Sequence, residues 1–214
     1  MSEKDFQDTI SDIKHFTRER KLAAFQYLKT QTIQFENNLE EAYVTRIQSI
    51  VEQLMLLNKK ITEIEKIIQE LFLEHDDAKI FSSLPGAGRR IAPALLSCFG
   101  DNRDRFLSYQ QVQCYSGTAP VTEQSGKSFH RNRIRRACNK RFRNVFYMLA
   151  FCCLNKSSWA RGHYDVQRKS GKSHSAAVRS VANKWAKIVY SMWANKTIYN
   201  AENFEARRQL CINS

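Results

Sequence analysis

Residues 1–84 contain neither glycine nor proline, and so long a run without a breaker commits this part of the chain to helix. From Ile47 the apolar residues recur at Ile47, Ile50, Leu54, Leu57, Ile61, Ile64, Ile68 and Leu71. Their steps alternate between three and four, which is a heptad seam. A lone helix with such a stripe would leave it in water, so the seam needs a partner. A less regular stripe runs through Phe6, Ile10, Ile13, Leu22, Phe25, Leu28, Phe35 and Leu39, with a break expected at Asn37-Asn38. The earlier segment can fold back on the later one, or the helix can pair with a second subunit. The reading favours a coiled coil between subunits, which makes the protein a homo-oligomer.

Charge divides the chain a second way. Residues 1–85 hold 11 Lys/Arg against 15 Asp/Glu, whereas residues 86–214 hold 23 against 6, a balance of +17. A polycationic half without an amphipathic membrane design points to nucleic acid, because phosphate contacts release counterions. An apolar fraction of 43% is sufficient for a core. No apolar run approaches the ~18 residues that span a bilayer, and the polar start MSEKDFQD is no signal peptide. A soluble intracellular protein with no membrane partner is expected. The six cysteines form no C-x-x-C pair and the five histidines no H-x-x-x-H, so no zinc site is expected and the thiols read as reduced and mostly buried.

Leu84-Pro85-Gly86-Ala87-Gly88 opens the basic half and matches a helix-hairpin-helix turn. Glycines there let backbone N–H groups face outward at a helix start, where they and the dipole can hold a phosphate. Arg89 and Arg90 add charge. The competing reading is an ordinary glycine-capped turn. Pro93 sits within the second helix and is expected to shorten or bend its first turns. A helix over Phe106–Cys114 and a loop over Tyr115–Pro120 follow. Residues 120–143 then carry eight Lys/Arg and one acid: Lys127, Arg131, Arg133, Arg135, Arg136, Lys140, Arg141 and Arg143 against Glu123. Unpaired charges do not go inside, so this run faces solvent or something strongly negative.

In order, SLPGAG, ALLSCFGDNRDRF, QVQCYSGTAPVTEQSGK, RIRRACNKRFRNVFYMLA and AAVRSVANKWAKIVYSMWANK resemble the C-terminal domain of transposases of the insertion-sequence 110/116/902 family. Ser116 and Thr118 stand where that family usually has Ala and Leu. The resemblance covers about residues 45–200. It implies a recombinase with two parts joined by a helical arm, one of them a ribonuclease-H-like domain that binds Mg2+ through acidic residues. The other part supplies a serine that attacks a DNA phosphate, and that serine falls on Ser125, with Ser128 as the local rival. Transposon-end DNA, target DNA and a structured guide RNA are the implied partners, in the bacterial cytoplasm and on its nucleoid. Beside that implication, Gly126 leaves room for close approach of DNA, and the adjoining cations suit the charge of a phosphate transition state. The carboxylates of residues 1–85 read as solvated helix faces, so no metal site is expected in this chain. It reads as the C-terminal portion of a transposase, with a non-catalytic nucleic-acid-binding remnant as the alternative.

The expected fold is mainly α-helical: an arm over 1–79, a transposase C-terminal domain over 80–200, and a tail over 201–214. A late helix over about 173–197 should pack inward through Ala177, Val181, Trp185, Ile188, Val189 and Trp193.

Overall fold

In the computed structural model, residues 37–125 and 129–202 are described, together with Thr17, Glu19, Arg20, Leu22–Ala24 and Gln26. The chain divides into two compact units, Met1–Lys60 and Ile61–Ser214. The boundary falls within the first described helix, α1 (Asn37–Glu74), which runs for 38 residues; the residues before the expected Asn37-Asn38 break, 31–36, lie outside the described residues. In the first unit Ile47, Ile50, Leu54 and Leu57 are 46–59% exposed; in the second Ile61, Ile64, Ile68 and Leu71 are 46–63% exposed. The seam therefore lies open on each. Of the second stripe, Leu39 is also exposed, Leu22 is half-buried, and Phe6, Ile10, Ile13, Phe25, Leu28 and Phe35 lie outside the described residues.

The second unit continues with α2 (Ala78–Ser82), α3 (Gly88–Phe99), a 3-10 turn (Arg103–Arg105) and α4 (Tyr109–Tyr115). Two antiparallel strands follow, β1 (Val121–Ser125) and β2 (Phe129–Arg133), then α5 (Lys140–Cys153), α6 (Ser158–Lys169) and α7 (His174–Ala194). The fold is mainly α-helical, as the sequence predicts. Side-chain oxygens set several helix starts by accepting orphan N–H groups. Asn139 Oδ1 accepts from Phe142 N–H at 3.0 Å, and Ser173 Oγ from Ala176 N–H at 3.4 Å. On α7 Ala177, Val181, Trp185, Val189 and Trp193 are buried, and Ile188 is partly buried against the core. Phe99 is the hub of that core, with ring centroids of Phe142 and Trp193 each at 5.2 Å. Arg103 lies 4.5 Å over the Trp193 ring and donates to both oxygens of buried Asp77 at 2.7 Å. That paired charge fixes the end of the arm helix to the core, where an unpaired carboxylate would not be tolerated.

Four expectations differ. Helix α3 runs unbroken from Gly88 to Phe99 with Pro93 inside it. It is not shortened, because a proline forfeits one backbone bond while its buried ring adds to the apolar face. The helix expected from Phe106 begins at Tyr109, since Phe106 is extended after a 3-10 turn capped by Asn102. The arginine-rich stretch, a helix by the family resemblance, is not helical until Lys140, and the residues before it form β2 and an irregular connection. The thiols are less buried than expected: Cys98 and Cys153 are buried, Cys138 and Cys152 are half-buried, and Cys114 is exposed. Burial pushes the Cys153 thiol up to about 12. Among the described residues the cysteines are unbonded to each other, and Cys211 lies outside them.

Candidate nucleic-acid interface

The basic run is built around the hairpin. Its register pairs Val121 with Arg133, Thr122 with Asn132, Glu123 with Arg131, Gln124 with His130 and Ser125 with Phe129. A two-stranded hairpin is marginal by itself, so its roots decide whether it holds its shape. The entering root is the Ser116-Gly117-Thr118 loop. Ser116 and Thr118 are buried, and their hydroxyls lie 3.2 Å apart with the Gln113 carbonyl 3.4 Å from each. The two residues that depart from the usual Ala and Leu thus satisfy one another as a buried polar pair. Gly117 has φ +68°, and a Cβ there would fall 2.6 Å from Cys138 Sγ. Only glycine fits that approach, and it locks the entering strand to the segment leaving β2. Asn139 completes the clamp: its N–H donates to the Tyr115 carbonyl at 2.8 Å and its side-chain amide to the Tyr115 hydroxyl at 3.1 Å. That amide bond is the first cause holding the Tyr115 phenol below its ordinary pKa, with Arg105 adding to it.

Along the hairpin Thr122 donates to Asn132 Oδ1 at 3.0 Å. Glu123, the one acid of the run, accepts from Arg133 Nε at 2.8 Å. Both are substantially exposed, so the pair contributes about 0–1 kcal/mol. Its larger effect is to cancel the only negative charge on the strands.

Ser125 is the last residue of β1, while Gly126, Lys127 and Ser128 lie outside the described residues. Arg131 sits on β2 opposite Glu123. Arg136 and Arg141 are exposed and Arg135 is half-buried. Lys140 and Arg143 line a cavity at the root of the hairpin. The Pro-Gly-Ala-Gly turn lies elsewhere. The Pro85 carbonyl accepts from Cys153 Sγ at 2.6 Å. Gly86, with φ +81°, presents the place of a Cβ 3.0 Å from the Cys152 backbone. Close packing on the C-terminal end of α5 is therefore what Gly86 serves. Gly88 opens α3 with open space beside it; Arg89 is exposed, and Arg90 pairs with Glu65 at 2.6 Å. Lys140 and Cys152 are twelve residues apart on one helix, about 18 Å. The structure thus sets the turn and the hairpin at opposite ends of α5.

Among the described residues, no three His, Cys, Asp or Glu side chains gather as a metal-binding set. Among the described residues Glu65, Asp77, Asp101, Glu123 and Asp165 are each engaged by an Arg or His, and Glu70 by Lys66. That arrangement does not fit a Mg2+ site. Among the described residues, no helix is long and apolar enough to cross a membrane. Sequence reasoning missed Arg179, which α7 brings to the cavity and which no local motif marks. It also missed the strands, although Val121-Thr122 and Phe129 on either side of a Ser-Gly pair carry a hairpin signal in the sequence.

Residues 78–165, from α2 into α6 and including the whole hairpin, match the family described as Transposase IS116/IS110/IS902. This segment is a transposase domain of that family. The chain is 29% identical over 155 residues to the 43.6 kDa protein of insertion element IS110 of Streptomyces coelicolor, covering 72% of this chain and 38% of that protein. It is 31% identical over 147 residues to the candidate transposase of the IS117 mini-circle of the same organism, covering 69% and 35%. The 42 kDa protein of insertion element IS900 of Mycobacterium paratuberculosis is 25% identical over 161 residues, with 75% and 40% covered. The transposase segment thus sits in a chain that spans well under half the length of the relatives it matches. The match ends before α7, so the helix that carries Arg179 lies beyond it.

Proposed function

We propose that this chain is the DNA-joining portion of a transposase, with the hairpin and its flanking arginines as the nucleic-acid face and Ser125 as the nucleophile. The observation that carries the proposal is the placement of Ser125 at the end of a clamped hairpin. The strands of that hairpin carry two arginines and one acid, and that acid, Glu123, is already paired with Arg133. A family match spanning the whole hairpin supports it. In the proposed step Ser125 Oγ forms a bond to a DNA phosphorus as the bond from that phosphorus to a deoxyribose oxygen breaks. The hydroxyl proton passes to a base and the departing oxygen takes up a proton. A serine hydroxyl needs such a base or a metal to become reactive, and we assign that part to a separate acidic domain. Mg2+ would supply Lewis-acid activation there. This chain contributes binding, orientation and the attacking oxygen. Transposon-end and target DNA are the proposed substrates, with a structured RNA as guide and a second copy of the chain along the α1 seam.

The test of the face is its salt dependence. Affinity for duplex DNA should fall steeply with salt, because several phosphates meet Lys/Arg at once. Replacing Arg133, Arg135 and Arg136 together by Gln should weaken binding on all sequences and lower the slope of log K against log [salt] by about 2–3. Unchanged affinity at low salt would remove the face from the proposal.

A further inference from the structure

We infer that the cavity at the root of the hairpin is a subsite for one nucleotide of a bound strand. Its phosphate would lie on Arg143, Arg179 and Lys140, and its base against Tyr147. The inference rests on the proposed nucleic-acid role and adds to it a site and a residue outside the basic run.

The cavity has a volume of about 370 Å³, and its wall includes Thr118, Ile134, Lys140, Arg143, Tyr147 and Arg179. That size falls within the roughly 300–1,000 Å³ of small-ligand sites. None of its lining residues is acidic. Four other arginines of this unit meet carboxylates: Arg90 meets Glu65, Arg103 meets Asp77, Arg133 meets Glu123 and Arg161 meets Asp165. Arg143 and Arg179 are half-buried, yet among the described residues neither forms an ion pair. Half-buried guanidinium groups without an anion are costly and are relieved by a ligand that brings one. One Arg143 N–H is held by the Arg135 carbonyl at 3.2 Å, which positions the planar fork that suits a phosphate. Tyr147 and Ile134 add an aromatic and an apolar wall, which a bare phosphate would not use and a base would. Ile134 directly follows β2, while Ser125 lies four residues along β1 from Val121, about 13 Å at strand spacing. The nucleotide in the cavity is therefore a different one from the nucleotide at the hairpin's end. It fixes the strand's register relative to Ser125.

Thermal unfolding of the full chain with thymidine 5′-monophosphate tests this. At ten times its dissociation constant the nucleotide should raise the midpoint by about 3 °C. Inorganic phosphate at the same concentration should give less than half that shift. Arg143→Gln with Arg179→Gln should abolish it, and Arg168→Gln, an exposed change on α6, should leave it intact. If the double variant does not fold, Arg179→Gln alone should weaken the nucleotide at least fivefold, and Arg179→Lys should restore part of the loss. No shift in the wild-type chain, or an equal shift in the Arg179 variants, overturns the subsite. Equal shifts from phosphate and nucleotide overturn the place given to the base. Duplex binding measured in parallel separates the two claims. DNA binding without a nucleotide shift sinks the subsite alone, whereas a shift without DNA binding leaves a free-nucleotide site and removes both the nucleic-acid role and the bound strand.

Discussion

Replacing Ser125 by alanine should abolish covalent joining of this chain to DNA and leave DNA binding within about twofold. The reaction is reconstituted with element-end DNA and the acidic domain of a family relative supplied separately, and joined species are resolved under denaturing conditions. The substitution removes one oxygen atom. Away from buried networks such changes move stability and affinity by about 0.5 kcal/mol or less, which is roughly a factor of two. If that oxygen is the nucleophile, its removal eliminates the joining step whatever else remains intact. A loss of joining together with binding would describe a structural contact instead. Ser128→Ala should leave joining unchanged. Joining that persists in Ser125→Ala moves the nucleophile elsewhere, and Ser128 is the first residue to examine. Without the acidic domain, binding and no joined product are expected.

The second large effect belongs to the arm. Leu57→Asp with Ile61→Asp should convert an oligomer into monomers. Both residues lie on the heptad seam and are 57% and 48% exposed in the single chain. Burying a leucine or isoleucine contributes roughly 1.5–3 kcal/mol, and a two-fold assembly counts each position twice. Putting carboxylates in the seam replaces that gain with a desolvation cost. Together these should weaken association by about a thousandfold or more, some 4 kcal/mol. The fold of the second unit should hold, because neither side chain is part of its core. Sedimentation velocity reads the result. A monomeric unmodified chain would contradict pairing between copies and return the seam to an intrachain partner.

The helices were legible where one physical signal dominated. The breaker-free run gave α1, and the three-four spacing of Ala177, Val181, Trp185 and Trp193 gave a buried α7. The hairpin was not legible in the same way. Its strands are short and three of their ten residues are charged, so the alternation that marks a strand is covered by the arginine signal. What holds the hairpin is tertiary: the Gly117 approach to Cys138 and the Asn139 bonds to Tyr115 join residues more than 20 positions apart. The Pro-Gly-Ala-Gly turn shows the opposite case. Its motif was plain, but Gly86 is explained by the backbone of Cys152, which a local pattern cannot supply. The cavity was invisible for the same reason, since Arg179 and Arg143 come to line one cavity only through the packing of α7 on α5.

Mapping the joined peptide tests the account most directly. Trypsin cuts after Lys127, so Ser125 leaves on the peptide 106–127 and Ser128 on the peptide 128–131. The joined product is digested with nuclease and trypsin, and the peptide bearing the nucleotide mass is fragmented. That mass is expected on the peptide 106–127, localised to Ser125. The same mass on the peptide 128–131, or on any residue outside the hairpin, would contradict it.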